Sequence, residues 1–375
     1  MTRSRLWAAA IAALSVIILV GTLFFQRHDQ TTSSDTPFNW LSAVQTMAQD
    51  GFERPSGTGP ANLPQDHAVH SLARSELWQL SAHLERLDGT PMNVQFSMTR
   101  FGLVPPGSAQ DISIWELRDL YRAHLIATDS AQSIAEERFG RGLAGLAGFD
   151  MDLQALHFDN WTLAFPDDSL IGAWRFNAIS KDATMMLELE PVKAPISIDT
   201  QDAPFRGYAF TRLDVTGTVT ISGHETPVAG SAWFDHAWGE LPLPGSGPVI
   251  SDRLLMQLDN DVDLSVVVSQ RSDGRGVPTV DAFMITAEGS IRALGADLAQ
   301  VEFPRVWQGA RTEWPVAWTI RLDDVLELEV VPVSDAQEHE FTPPVWSGLV
   351  QAEGRFNGEP VQGTGILQLS GERQP

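Results

Sequence analysis

The sequence predicts an all-β body of two consecutive antiparallel β-domains, preceded by a single N-terminal transmembrane helix. Three observations predict it. Residues 6–25 carry no charge, short alternating or β-branched runs fill most of the remainder, and Asp, Asn and Gly clusters punctuate those runs at hairpin spacing. The 375 residues are 43% hydrophobic and 19% charged, which describes a folded chain with one or two substantial cores. A formal charge of −23 excludes a dense basic surface, so nucleic acid is not an expected partner. With no cysteine, disulfides, thiolate metal sites and a cysteine nucleophile are excluded.

The run LWAAAIAALSVIILVGTLFF follows Arg3 and Arg5 and precedes Arg27. As a helix it reaches about 30 Å, enough to cross a bilayer core. The arginines favour a cytoplasmic amino terminus, placing the body in the periplasm as a single-pass protein of the bacterial inner membrane. Cleavage and release to the periplasm is the competing expectation, although GTLFFQR offers bulky residues where a signal peptidase takes small ones. The expected organisation is an anchor or uncleaved signal (1–27), a tether with a short helix (28–64), and β-domains at 65–200 and 201–375.

Within the tether, Phe38, Leu41 and Val44 share a helical face over residues 38–47. ELWQLSAHLERLDG and TPMNVQFSMTRFG then read as two strands around a Leu87-Asp88-Gly89-Thr90 turn, since Asp-Gly is a hairpin signal. Residues 111–143 form the expected helical exception, with Ile114, Leu117 and Tyr121 at helical spacing. RFGRGLAGLAGF reads as a loop; it lacks the Lys-Ser/Thr of a phosphate-binding loop. PVKAPISIDTQDAP marks the expected domain boundary near residue 200. Beyond it, RLDVTGTVTISG, TPVAGSAWFDHAW and LELEVVPV read as strands, with Asp259, Asn260 and Asp261 at a hairpin tip. Sandwich or barrel architecture follows, and the echo of WTLAFPDD in WTIRLDD hints at duplicated sheet units.

Four ordered segments carry a family resemblance: DHAVHSLARSELWQLSAHLERLDG from Asp66, FTRLDVTGTVTISG from Phe210, VAGSAWFDHAWGE from Val228, and WSGLVQAEGRFNGEPVQGTGILQLSGE from Trp346. In these the chain resembles the AttH/carotenoid hydratase superfamily of lipocalin-like proteins, often described as secreted hydrolases. The resemblance implies two consecutive lipocalin-like antiparallel β-barrels, a hydrophobic ligand and, commonly, a neighbouring ABC transporter permease. Its carotenoid branch adds water across an unactivated alkene. The sequence departs from the family at Glu76-Leu77-Trp78, where two tryptophans usually follow the acid, and at His236-Ala237.

The expected function is therefore an envelope-anchored protein that binds or transfers an apolar small molecule or lipid, with an ABC transporter permease as partner. One alternative is a carotenoid 1,2-hydratase-like lyase; another is a non-catalytic scaffold for a membrane protein. If the chain is an enzyme, Asp235 is the candidate catalytic proton donor, because Trp233, Phe234 and Trp238 around it would desolvate a carboxyl and raise its pKa. Strand alternation sends His236 to the opposite face. Glu76 and Trp78 share a face and line the expected pocket with His83, Trp233, His236 and Trp238. Each has an ordinary structural alternative, as a packed aromatic or a buried polar group bonded to backbone. His67, His70, His83 and Glu76 match no compact metal-binding spacing, so neither metal nor cofactor is expected. Gly-x-Ser-x-Gly is absent from GSAWFDHAW, which argues against a serine hydrolase.

Overall fold

The computed structural model describes residues 51–370, apart from 56–58, 108–116, 130–131, 143–144, 168–169, 199–203, 242–248 and 296. Two antiparallel sheets make up this body. The first contains β1 (Ser75–Arg86), β2 (Pro91–Gly102), β3 (Asp119–Asp129), β4 (Ser133–Arg141), β5 (Ala147–Asp150), β6 (Ala155–Phe158), β7 (Trp161–Ala164), β8 (Trp174–Ile179), β9 (Ala183–Pro191), β10 (Ile196–Ser197), β11 (Phe205–Ile221) and β12 (His224–Gly239). The second contains β13 (Val249–Leu258), β14 (Asp263–Arg271), β15 (Thr279–Ile285), β16 (Ile291–Leu294), β17 (Ala299–Gln308), β18 (Glu313–Leu322), β19 (Leu326–Pro332), β20 (Glu338–His339), β21 (Val345–Phe356) and β22 (Glu359–Ser370).

The first sheet runs β4-β3-β2-β1-β12-β11-β9-β8-β7-β6-β5, with β10 beside β11; the second runs β16-β15-β14-β13-β22-β21-β19-β18-β17, with β20 beside β21. In each, a four-strand meander is joined at its first strand by the last strand of the unit. The duplication hinted at by sequence is therefore present in topology. Its seven-residue echo is not equivalent, because Trp161 lies on β7 and Trp318 on β18, whose counterpart in the first sheet is β8.

Alternation builds the first interior. On β1, Trp78, Leu80, Ala82 and Leu84 point inward, and on β12 Ala232, Phe234 and Trp238 do. Trp161, Trp174, Phe176, Tyr208 and Phe210 complete this core. The sheet curls until its ends meet. Arg138 on β4 lies 3.8 Å over the Trp161 ring and donates to Asn160 Oδ1 at 2.7 Å, while the Phe158 ring occupies the space a Cβ on Gly140 would need. The second sheet packs Trp314, Trp318 and Trp346 inside.

Several expectations are corrected. Within the helical stretch expected at 111–143, residues 119–129 and 133–141 form β3 and β4 instead; Tyr121, Ala123, Leu125 and Ala127 enter the core with period two and pair with β2, while Ile114 lies outside the described residues. RFGRGLAGLAGF is partly strand, within β4 and β5. Residues 201–239, assigned by sequence to the C-terminal domain, supply β11 and β12 to the first sheet. The transmembrane helix is not found: among the described residues, helix is limited to a 3-10 turn, Gln65–His67, and no helix is long and apolar enough to cross a membrane. The described residues therefore give no support to the envelope-anchored, single-pass inner-membrane reading or to its ABC transporter permease partner. The segments behind those expectations, 6–25 and 38–47, lie outside the described residues.

Ion pairs tie the two sheets together. Asp235 on β12 accepts from Arg253 on β13 at 2.8 and 2.9 Å, and Asp263 on β14 accepts from Lys193, Thr211 and Arg212 at 2.7 Å each. Arg253→Met would leave the Asp235 carboxylate buried without its cation and should lower unfolding free energy by about 3 kcal/mol in urea titration. The Asp235→Asn/Arg253→Met double variant should recover part of that loss; an additive loss would contradict a direct pair.

Candidate functional site

The residues with the strongest chemistry converge at one end of the first interior. Glu76, on β1, is fully buried, and its Oε1 lies 2.7 Å from His70 Nδ1 and 2.9 Å from His236 Nε2. Register explains two of its neighbours: Glu76 pairs across β12 with Trp238, and across β2 with Arg100. Arg100 Nη1 stands 3.7 Å from Glu76 Oε2, and its Nη2 reaches Asp119 Oδ1 at 2.8 Å. His70 comes from the irregular chain before β1. Its backbone N–H donates to both Glu76 oxygens at 3.0 Å, fixing the loop over the carboxylate.

Aromatic rings hold these imidazoles in place. His70 stacks on Trp238 with centroids 3.8 Å apart, and His236 stacks on Trp78 at 4.6 Å. Deeper in, His236 Nδ1 is 3.3 Å from the Tyr208 hydroxyl, which lies 2.5 Å from His67 Nδ1. The 3-10 turn carries His67 into the lumen, where it stacks on Phe165 at 3.9 Å; its backbone carbonyl accepts from Trp78 Nε1 at 3.1 Å. A continuous polar path therefore runs from the half-buried Asp66 and His70 through Glu76, His236 and Tyr208 to His67.

Electrostatics distribute charge along this path. Burial opposes ionisation of Glu76, but hydrogen bonds from His236 and His70 outweigh it and hold its pKa below the ordinary carboxylate value. Burial likewise opposes the charged form of His70; hydrogen bonds to Asp66 and Glu76 win and raise its pKa to about 9. For His236 burial wins, against the pull of Glu76, and lowers its pKa. Burial, then repulsion from His236, lowers His67 to about 3, and burial raises Tyr208 well above the usual phenol value. At neutral pH the arrangement is an imidazolium at His70, a carboxylate at Glu76, and neutral His236, Tyr208 and His67.

His70, Glu76 and His236 are also the set that a metal ion would use, with ligand atoms within 4.8 Å of one another. The Arg100 guanidinium brings a fixed positive charge to within 3.7 Å of the same carboxylate.

The sequence-predicted residues divide by strand parity. Glu76, Trp78, His236 and Trp238 gather in the interior site. Trp233, Asp235 and His83 point the other way, toward the second sheet: Trp233 packs with Leu255, and His83 lines a groove beside Gln257. Asp235 accepts from Arg253 on both oxygens and from Trp233 Nε1 at 2.9 Å, so both of its oxygens are engaged. Sequence reasoning missed Arg100 and Tyr208. Arg100 had a usable signal, since counting outward from the Asp88-Gly89 turn places it opposite Glu76. Tyr208 had none, because its place depends on pairing between β11 and β12.

A profile of the AttH-like family matches residues 54–372. No curated protein matches the chain. Among solved structures, an AttH candidate from Nitrosomonas europaea is similar over 85% of this chain and 99% of its own, at 24% identity and a TM-score of 0.70. Kievitone hydratase from Nectria haematococca is similar over 86% of this chain and 98% of its own, at 14% identity and a TM-score of 0.62. CghA is similar over 88% and 98%, at 14% identity and a TM-score of 0.51. At these identities the likeness is one of fold. With the family match spanning both sheets, the chain belongs to the AttH-like family.

Proposed function

We propose that this chain is an acid–base enzyme of the hydratase–lyase type, acting on an unsaturated, largely apolar molecule. The observation that carries the reading is the sharing of one buried Glu76 oxygen between two imidazoles, one of them charged. Adding or removing water across a double bond requires a proton to be given and another taken. The Glu76 network stores such a proton at His70 and offers neutral imidazoles and a phenol along which it can move. Similarity in fold to kievitone hydratase supports the reaction class.

The residues have distinct roles in this reading. Glu76 is the hub that accepts or returns the proton, and hydrogen bonds from His236 and His70 hold it ionised against its burial. His236 and Tyr208 connect it to the lumen, and Trp78 and Trp238 exclude water and orient the two imidazoles. Asp235 acts as part of the joint between sheets, where Arg253 engages both of its oxygens.

Incubation with an acyclic carotenoid, followed by mass spectrometry for the gain of one water, tests the proposal. Glu76→Gln should lower product formation by about a hundredfold or more, whereas Asp235→Asn should keep most of it. Parent-rate hydration by Glu76→Gln, or no water addition to any of a set of isoprenoid alkenes, would contradict it. Linkage gives a separate expectation. Because the folded pKa of His70 lies above its unfolded value, its contribution to stability is complete below about 6.5 and is lost as pH rises through about 9. Thermal unfolding of the parent minus that of His70→Gln should narrow across that window; a difference independent of pH would contradict a charged His70.

A further inference from the structure

One buried side chain projects into the first interior from a turn that otherwise lies at the surface. Of residues 61–68 only His67 is buried; the rest are half-buried or exposed. The turn holds its own shape. The Asn62 N–H donates to Asp66 Oδ2 at 2.8 Å, and the N–H groups of Asp66, His67 and Ala68 donate to the carbonyls of Asn62, Pro64 and Gln65 at 2.9, 3.0 and 3.1 Å. Among the described residues, no backbone hydrogen bond ties residues 61–68 to a strand. The sheet reaches them through side chains: Trp78 Nε1 donates to the His67 carbonyl, the Tyr208 hydroxyl meets His67 Nδ1, and His236 faces the Asp66 carbonyl. Anchoring changes beyond Ala68. Arg100 donates to the carbonyls of His70, Ser71 and Ala73, and the His70 N–H donates to Glu76, so that stretch belongs to the charge cluster. A hinge between Ala68 and His70 would release the turn and leave His70 on Glu76.

The place that His67 fills is a box of aromatic rings. Phe165 stacks on the imidazole at 3.9 Å, and Trp174 and Tyr208 meet it edge-on at 5.5 and 5.6 Å. Its Nε2 is buried with no protein partner, so the closed turn forgoes a hydrogen bond that water supplies to a released imidazole. Burial keeps both His67 and Tyr208 uncharged at neutral pH. The walls therefore suit a flat, uncharged group the size of a ring, with one polar atom at its edge toward the Tyr208 hydroxyl. An apolar lip stands at the same end of the sheet. Ile171 is exposed on the loop between Phe165 and Trp174, and Met151 and Leu153 are exposed on the turn whose Gln154 carbonyl accepts from the Phe165 N–H.

We propose that residues 61–68 are a displaceable plug, and that the aromatic box now holding His67 receives one flat, unsaturated, uncharged group of the substrate. In calling that ligand the substrate, the inference rests on the acid–base reading above; the plug itself stands on the turn and the box. With the imidazole withdrawn, Tyr208 becomes the end of the path from Glu76 through His236 and offers its hydroxyl to the polar atom of the incoming group.

Calorimetry and histidine NMR of the full chain with 4-methylphenol test it. Saturable binding is expected. In the free chain His67 stays neutral down to about pH 3, whereas in the saturated chain its imidazole, released to water, should titrate near the ordinary value of about 6.5. His67→Ala removes the competing side chain and should bind 4-methylphenol about tenfold or more tightly than the parent does. In that variant toluene should bind more weakly than 4-methylphenol, and adding Tyr208→Phe should erase the difference. No saturable binding to the parent, or binding that leaves His67 titrating as in the free chain, would overturn the plug whether or not His67→Ala folds. Equal affinity in parent and His67→Ala would overturn it as well. A parent that releases His67 for 4-methylphenol but hydrates no alkene contradicts the acid–base reading alone. One that hydrates an alkene while His67 stays neutral at about pH 5 in its presence contradicts the plug alone.

Discussion

A carboxylate with no exposure at all is the constraint around which the first sheet is organised. An isolated buried charge costs several kcal/mol, so Glu76 persists there only with compensating partners. Each comes from a different part of the chain: Arg100 from the next strand, His236 from β12, and His70 from the segment preceding β1. Closing this cluster therefore requires the β1–β2 hairpin, the long-range β1–β12 pairing and the docked loop together. The same requirement explains why β11 and β12 belong to the first sheet although they follow the proline-rich stretch.

Strand parity then separates two environments that lie close together in sequence. His236 and Asp235 are adjacent, yet one enters the aromatic interior and the other meets Arg253 of the second sheet. Identical carboxylate chemistry thus has two outcomes. Glu76 shares one oxygen between two imidazoles and stands beside Arg100, whereas Asp235 meets the Arg253 guanidinium and the Trp233 indole N–H.

Legibility in the sequence followed the range of the interactions. The Asp88-Gly89 hairpin, the tip at residues 259–261 and the shared face of Glu76 and Trp78 depend on neighbours within a few residues, and they are where the pattern places them. Alternation also sent His236 and Asp235 to opposite faces. The grouping of Trp233 and Asp235 with the interior pocket did not follow, because proximity along a strand does not put adjacent residues on one side. His70 and His67 were visible only as a loose set of histidines. Their convergence needs a loop with no periodicity to settle over a sheet closed by residues more than a hundred positions away. The helical reading failed at Tyr121 because a few apolar residues at helical spacing specify less than a full register with β2.

The central claim concerns where the protons reside, and 15N-detected NMR of the histidine side chains across a pH titration measures that directly. The account predicts an imidazolium at His70 that persists until about pH 9, together with a neutral His236 carrying its proton on Nε2 toward Glu76. A His70 that titrates at an ordinary imidazole value, or a His236 that is charged at neutral pH, would contradict it.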